Sequence, residues 1–428
     1  MCIRDSTTSA VKPACFARRR MLAVTSLHNM EPAKLIAETF ENGCHNEFTT
    51  FGFRFSQWEE KARQVLSANS YGYVKGSAGD GYTDNQECQD FKKWQFVPRR
   101  LVPVAQCDVV PKYKVLGQNV PSPIAVAPIG VNTIFHREGE CGMSAAAKEA
   151  GVTYIMSSAS STSLEDVAKA NGDGHRFFQL YWPPNECNDV TASILRRAKQ
   201  AGFTALVVTL DTYTLGYRPS DLNHGFNPFL LPEITGCGLG LSDPVFQEKF
   251  KQKNGKAVME DLATSAPEWA SQMFCGAGHS WDDLKYLREY WDGPIVLKGI
   301  MDVEDAKLAV KHGMDGIVVS SHGGRQVNDS VSSIEVLPEI VDAVGDKLDV
   351  LFDSGVRSGT DIAKALALGA KMVLIGRPCV YGLAMGGQKG AHHVLRCLLA
   401  ELELSMRLSG VSSIEKEELN RTRLRLIK

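Results

Sequence analysis

Residues 309–320 read "AVKHGMDGIVVS", and the architecture follows from them. A helical segment stops at Gly313, and an apolar run from Gly316 to Val319 follows within about three positions. Glycine suits the left-handed position just past a helix end, and short helix-to-strand loops are the rule in alternating folds. The same unit recurs as "AKEAGVTYIMSS" (147–158), "AKQAGFTALVVT" (198–209) and "ALALGAKMVLIG" (365–376), each around its own glycine, Gly151, Gly202 or Gly369. Four more runs, "SPIAVAP", "RFFQLYW", "GPIVLKG" and "DVLFDSG", complete a set of eight. All are rich in Val, Ile, Leu and Phe with little alternation, as expected of parallel strands covered on both faces. Asp302 and Thr360 stand where N-cap side chains would start the helices that follow.

Eight such strands separated by helices predict an α/β fold, a (β/α)8 TIM barrel beginning near Ser122. A doubly wound open sheet is the alternative, but no G-x-G-x-x-G opens any of the helices. Residues 56–70 read as a helix of an N-terminal extension. After "LVVTLDT", about 80 residues precede "GPIVLKG", too many for a structureless loop. Their text turns from "YRPSDLNHGFNPFLLP" to amphipathic helix, which predicts a lid over the barrel mouth at about 213–280. The barrel domain is thus expected over 46–428, behind a tail of residues 1–45.

The bulk numbers favour small-molecule chemistry. The chain has 428 residues, 44% hydrophobic and 22% charged, with a formal charge of −2. That balance lacks the basic footprint of a nucleic-acid or membrane binder. Its 11 cysteines are scattered without a C-x-x-C pair, which suggests neither a disulfide framework nor a zinc site, so no metal is expected. No apolar run approaches the roughly 18 residues that span a bilayer. Residues 1–30 carry Arg4, Lys12 and Arg18 to Arg20 against one acid, Asp5. This reads as a disordered tail or as an organelle transit peptide, so the expected compartment is cytoplasmic, with mitochondrial import left open.

In a barrel of this type the catalytic groups sit at the carboxyl ends of the strands. Those ends carry Ala127, Pro128 and Ile129; Ser157 and Ser158; Gln179 and Tyr181; Thr209 and Asp211; Lys298; His322 and Arg325; Asp353, Gly355 and Arg357; and Gly376 and Arg377. Singly, an Asp or Ser here is more often a helix cap, and Lys298 could merely lay its stem along the barrel. Together they form a polar ring that one ligand can reach. The last two strands add glycines, Arg357, Arg377 and a helix start near Thr360, where barrels of this class bind phosphate. A phosphorylated cofactor or substrate is expected there. A phosphosugar aldolase would also use a strand-end lysine and a phosphate site, but it has no need of the His322 and Arg325 pair.

The motifs "SSHGGRQ", "DSGVRSGTDIAKALALGA" and "IGRP", with the stretch from about Trp58 to Lys389, resemble the FMN-dependent 2-hydroxy-acid oxidases and dehydrogenases. Within that family, "LDTYTLGYRPSDL", "NPFL", "SDPVFQEKF" and the long lid are most similar to the lactate 2-monooxygenase branch. The resemblance implies FMN as cofactor, a small L-2-hydroxy acid such as L-lactate as substrate, dioxygen as oxidant and a homotetramer. It implies His322 as the base, Asp211 as its support, Arg325 and Arg218 as the grip on the substrate carboxylate, and Tyr73 and Tyr181 as further hydrogen-bonding groups. Lys298 would stand beside the flavin's pyrimidine edge. Gln179, Thr209 and Ser157, with the backbone of Ala127, Pro128 and Ile129, would bond the ring system. Asp353 would contact the ribityl chain, and Arg357, Gly376 and Arg377 the phosphate, with Gly355 allowing close approach. Two positions depart from the family pattern: Ser321, where asparagine is usual, and Ala159, where glycolate oxidases carry a bulky aromatic. Nothing before Trp58 resembles a haem module, which disfavours electron transfer to cytochrome. The implied products are acetate, carbon dioxide and water, or, for a plain 2-hydroxy-acid oxidase, the keto acid and hydrogen peroxide. A catalytically silent FMN-binding protein is disfavoured by the presence of His322, Asp211, Arg218 and Arg325.

Overall fold

A computed structural model describes residues 31–104 and 106–427. The tail reading of residues 1–30 lies outside the described residues. The chain divides into two compact units at Thr50 and Phe51. In the first, Glu31–Cys44 is helical, and the Thr39 hydroxyl donates to the Leu35 carbonyl one turn back.

The second unit holds eight parallel strands: β1 Ile124–Val126, β2 Thr153–Ser157, β3 Arg176–Tyr181, β4 Leu206–Thr209, β5 Ile295–Ile300, β6 Gly316–Val319, β7 Asp349–Phe352 and β8 Met372–Ile375. Each pairs with the next, and β1 pairs with β8 through Ile124↔Val373, Ala125↔Leu374 and Val126↔Ile375, so the sheet closes into a TIM barrel. Closure excludes the open-sheet alternative. Inward side chains from all eight strands fill the interior, among them Ala125, Ile155, Phe177, Val207, Val296, Val318, Leu351 and Leu374. Their alternates, such as Ile124, Phe178 and Val208, are equally buried beneath the helices, which is why the strands read as unbroken apolar runs. The glycine that ends each repeated helix takes positive φ, 69° at Gly313, as a left-handed helix stop requires.

Helix starts follow side-chain chemistry. Asp302 accepts the amides of Glu304 and Asp305, as its position predicts. After β7, however, the helix runs Gly359–Ala367 and its cap is Ser358, not Thr360. Ser358 has the extended backbone that a cap needs and accepts the Asp361 amide, whereas Thr360 already lies in the first turn. The extension also differs from its reading. Instead of one helix over 56–70, two helices, Phe55–Val65 and Ala68–Lys75, break at Ser67, which caps the second by accepting the Ser70 amide. A third helix, Tyr82–Lys93, leads into Trp94–Phe96, which pairs antiparallel with Leu424–Leu426.

Between β4 and β5 stand the helices Pro219–His224, Gly238–Leu241, Pro244–Asn254 and Leu262–Met273. They have a small core of their own, with Phe246 edge-on to Trp269 at 5.4 Å. Asp243 roots this lid. It is fully buried, caps Pro244–Asn254 by accepting the Val245 and Phe246 amides, and pairs with Arg197 at 3.1 Å on the helix Asn188–Gln200. No helix among the described residues is long and apolar enough to cross a membrane.

Candidate active site

The carboxyl ends of the strands open onto one cleft. Ala127 to Gly130, Ala159, Tyr181, Thr212, Lys298, His322, Arg325, Asp353 to Arg357, Gly376 and Arg377 line it from the barrel. Tyr73 joins them from the extension, and Leu215, Arg218, Phe229 and Phe274 from the lid.

The turn after β6 carries the histidine under local strain. His322 takes φ 57° and faces Ser354, another non-glycine residue in the left-handed region, at φ 81°. Such backbone persists only when neighbours over-determine it. Here the Ser354 hydroxyl accepts the Gly323 amide at 2.9 Å and the Ser321 amide at 3.3 Å, while the Ser320 hydroxyl accepts the His322 amide at 3.0 Å. His322 Nδ1 lies 2.7 Å from Asp211 Oδ1. That contact makes Nδ1 the protonated nitrogen and leaves Nε2 as the acceptor. Thr212 donates to the same Asp211 oxygen at 2.6 Å. Burial, helped by nearby Lys298, holds the imidazole below its ordinary value against the pull of Asp211, so it rests as a neutral base. Burial pushes the Asp211 carboxyl up, but His322 and Lys298 overrule it and the group stays ionised. Asp211 itself is not among the cleft-lining residues and touches His322 from behind.

Room for that carboxylate comes from Gly299. At an irregularity between Lys298 and Ile300 its φ reaches 101°, and a Cβ there would lie 2.9 Å from Asp211 Oδ2. Lys298 is buried, with Nζ 2.9 Å from Ser320 Oγ and 3.2 Å from Asp353 Oδ2. Burial pulls its ammonium down, but Asp353 and Asp211 outweigh this and raise it. A lysine held charged cannot serve as the nucleophilic amine of an aldolase.

Opposite His322, two guanidinium groups converge. Arg218 donates from Nε to the Arg325 carbonyl at 3.0 Å, and Arg325 is fixed by the Tyr73 and Gly76 carbonyls and by the Tyr73 ring at 4.9 Å. Burial and the adjacent Arg218 pull Arg325 below the usual arginine range, a sign of like charges gathered for an anion. Burial pushes the Tyr181 phenol up, so it remains a donor. A carboxylate with a neighbouring hydroxyl suits this pocket of two planar forks, two phenols and one base.

The other end of the cleft suits a phosphate. Gly376 heads the helical stretch Arg377–Leu408, which kinks at Gly386 and Gly387, and a Cβ on Gly376 would meet no protein atom within 4 Å. The helix start, Gly355 and the two arginines surround this open corner, and helix N-termini favour anions. The helix Gly359–Ala367 does not contribute, contrary to the expectation. Its first amide already donates to Glu401 at 2.8 Å, and Thr360 Oγ1 donates to the same carboxylate. Between the two ends, Gly130 and Ala159 pack so closely that a Cβ on Gly130 would lie 2.6 Å from the Ala159 carbonyl oxygen, which leaves a flat wall. The donor set fits FMN: a corner suited to phosphate, a buried cation at mid-cleft and a pocket suited to an acid beyond it.

The structure brings most of this ring to the cleft. Ser157, Gln179 and Thr209 are buried and not among its lining residues, with Gln179 accepting the Ser158 amide at 3.2 Å and donating to Thr209 Oγ1 at 2.8 Å. Sequence reasoning passed over Thr212, Ser320, Ser354 and Gln326, although each adjoins a residue it had singled out.

Residues 62–425 match the family described as FMN-dependent dehydrogenase. An FMN-dependent alpha-hydroxy acid dehydrogenase of Schizosaccharomyces pombe is 53% identical over 391 residues, 91% of this chain and 96% of that protein. An L-lactate oxidase of Lysinibacillus sphaericus is 38% identical over 365 residues, 85% of this chain and 91% of that one. A crystal structure of mandelate oxidase with 3,3-difluoro-2-hydroxy-3-phenylpropionic acid superposes with a TM-score of 0.73 at 34% identity, covering 88% of this chain and 100% of that one. This chain belongs to the FMN-dependent dehydrogenase family, and FMN is its cofactor.

Proposed function

We propose that the chain oxidises small L-2-hydroxy acids, with L-lactate as the leading substrate and dioxygen as the final acceptor. One observation carries this reading: a neutral histidine, 2.7 Å from a half-buried aspartate, shares a cleft with two convergent arginines. Arg218 and Arg325 would take the substrate carboxylate, and Tyr73 and Tyr181 would fix the rest of its polar edge. Proton abstraction then falls to His322 Nε2. The imidazolium that results is stabilised by Asp211 through the existing Nδ1 contact, which favours the charged form at the moment it is needed. Bound FMN supplies the acceptor for the hydride equivalent and the route to dioxygen. Lys298 places a fixed positive charge at mid-cleft, and Asp353 holds it there.

The fate of the keto acid separates two readings. The lid wall of Phe229 and Phe274, whose rings lie 5.1 Å apart with Tyr181 5.3 Å beyond, supports retention of the keto acid beside hydrogen peroxide. Lactate and dioxygen then leave as acetate, carbon dioxide and water, the lactate 2-monooxygenase outcome. The names of the L-lactate oxidase and mandelate oxidase relatives favour equally a 2-hydroxy-acid oxidase that releases keto acid and peroxide. Purified holoprotein bleached anaerobically by L-lactate supports the shared chemistry, and a sample that stays yellow with a panel of 2-hydroxy acids overturns it. Under air, acetate selects the first reading, and pyruvate with stoichiometric peroxide the second.

A further inference from the structure

The helix Tyr82–Lys93 stands behind the phosphate corner without lining it, and one of its carboxylates reaches both arginines. Asp84 Oδ1 lies 3.0 Å from Arg377 Nη1 and 3.2 Å from Arg357 Nη2. Two guanidinium ions this close repel, and neither can lose its proton to relieve the strain. The shared oxygen is what allows them to sit side by side.

The two arginines depend on it unequally. Arg377 is also held by the carbonyls of Val74, Gly76 and Gly323, so its place is secured by backbone on both sides. Arg357 otherwise has the carbonyl of Val356, its own neighbour, and the face of Phe55 at 4.8 Å. Asp84 itself is fixed from two directions. Its second oxygen accepts from Ser77 Oγ at 3.4 Å, and its backbone sits so tightly on the base turn that a Cβ on Gly324 would lie 2.5 Å from its amide nitrogen.

We propose that Asp84 is a positioning residue for the cofactor phosphate: one carboxylate oxygen holds Arg357 beside Arg377 and aims the pair into the cleft. This rests on the reading that these two arginines meet the phosphate. A neutral side chain at position 84 would raise the net positive charge of the corner, but it would release Arg357 toward solvent. Pre-organisation outweighs the added charge because exposed charge is screened, whereas a bidentate anion contact needs both forks in place.

The test uses full-length protein stripped of flavin and titrated with FMN or riboflavin, the latter lacking the phosphate, with binding read from quenching of flavin fluorescence. Asp84→Asn is expected to raise the FMN dissociation constant by about tenfold while riboflavin changes less than about twofold. Arg357→Ala should cost less in the Asp84→Asn background than alone, since both act on one contact. Equal weakening of both ligands, unchanged FMN binding, tighter FMN binding or full additivity each overturns the proposal. If wild type does not prefer FMN to riboflavin, or Arg357→Ala leaves that preference intact, the phosphate-site reading fails and takes this inference with it. If Arg357→Ala abolishes the preference and Asp84→Asn does not, the inference fails alone.

Discussion

Arg218 Nη2 lies 2.6 Å from the side-chain carbonyl oxygen of Gln326, so the lid's arginine is aimed from the same turn that carries the base. The rest of the Gln326 amide is used as well. Its NH2 donates to the carbonyls of Asp211 and Thr214, and its oxygen also accepts the Gly216 amide. One side chain thus joins the base turn, the aspartate behind the base and the arginine across from it.

Gln326→Ala should therefore loosen Arg218 more than it disturbs His322. The expected result is a KM for the 2-hydroxy acid raised by about tenfold, with a smaller change in the anaerobic reduction rate at saturating substrate. Gln326→Glu keeps the contact with Arg218 but sets a carboxylate against two carbonyls, and should also lower the thermal midpoint. Stopped-flow reduction and a melting curve distinguish the two effects. A lowered kcat at unchanged KM would place the role of Gln326 at the base instead.

His322→Ala should retain FMN and lose the base. The rate of flavin bleaching by L-lactate should fall by roughly 10²- to 10⁴-fold, while the visible spectrum of the purified protein stays that of a flavoprotein. Normal reduction in this variant would remove the central residue of the proposed mechanism.

Gly299→Ala addresses the support of the base without substituting either partner. Its backbone, at φ 101°, is poorly tolerated by alanine, and the added carbon would press on Asp211. A stability loss of about 1–3 kcal/mol is expected, together with slower reduction and a shifted pH profile as the Asp211 contact lengthens. Denaturant unfolding and the pH dependence of the reduction rate measure the two parts. Wild-type values for both would mean that the strand irregularity has no functional part.

Glu87 gives the fold a pH dependence of its own. The residue is fully buried, accepts the Ser333 amide at 2.8 Å, and lies 2.8 Å from the Ser333 hydroxyl, which also contacts the Asp353 carbonyl. A hydroxyl has one proton, so serving both oxygens at once requires a proton on Glu87. Burial raises the carboxyl from 4.5 to about 7, only partly opposed by hydrogen bonds from Ser321 and Ser333. Because the folded protein holds this proton more tightly than the unfolded chain, the stabilisation is complete below about pH 4.5 and fades as pH rises through about 7. The contribution is on the order of 3 kcal/mol. Glu87→Gln should flatten stability across that window, and urea melts at a series of pH values would show it. An unchanged slope in the variant would mean that Glu87 is ionised throughout.

The barrel was legible because its signal is local and repeated: the glycine stops at Gly151, Gly202, Gly313 and Gly369 each lie within a few residues of the strand they precede. The ring of site residues was legible for a related reason, since closure carries every strand end to one mouth. What escaped notice depends on pairings between distant segments. Glu401 occupies the helix start at Gly359 from 42 positions downstream, and nothing near Thr360 announces it. Gln326 looks like any loop glutamine until the Asp211 and Arg218 segments are folded against it. Asp84, in an extension helix, meets Arg357 and Arg377 only across the assembled barrel.

The short antiparallel pairing of Trp94–Phe96 with Leu424–Leu426, continued by the Ile427 amide on the Lys93 carbonyl at 2.8 Å, joins the extension to the far end of the chain. The helix that bears Asp84 and Glu87 is pinned at its end by residues translated long after it. A ribosome that has finished all eight strands has therefore still not delivered the segment that pairs with the strand at the end of this helix. A fusion or cut near Leu424 would thus act on the end of the helix that bears Asp84 and Glu87 without touching the cleft.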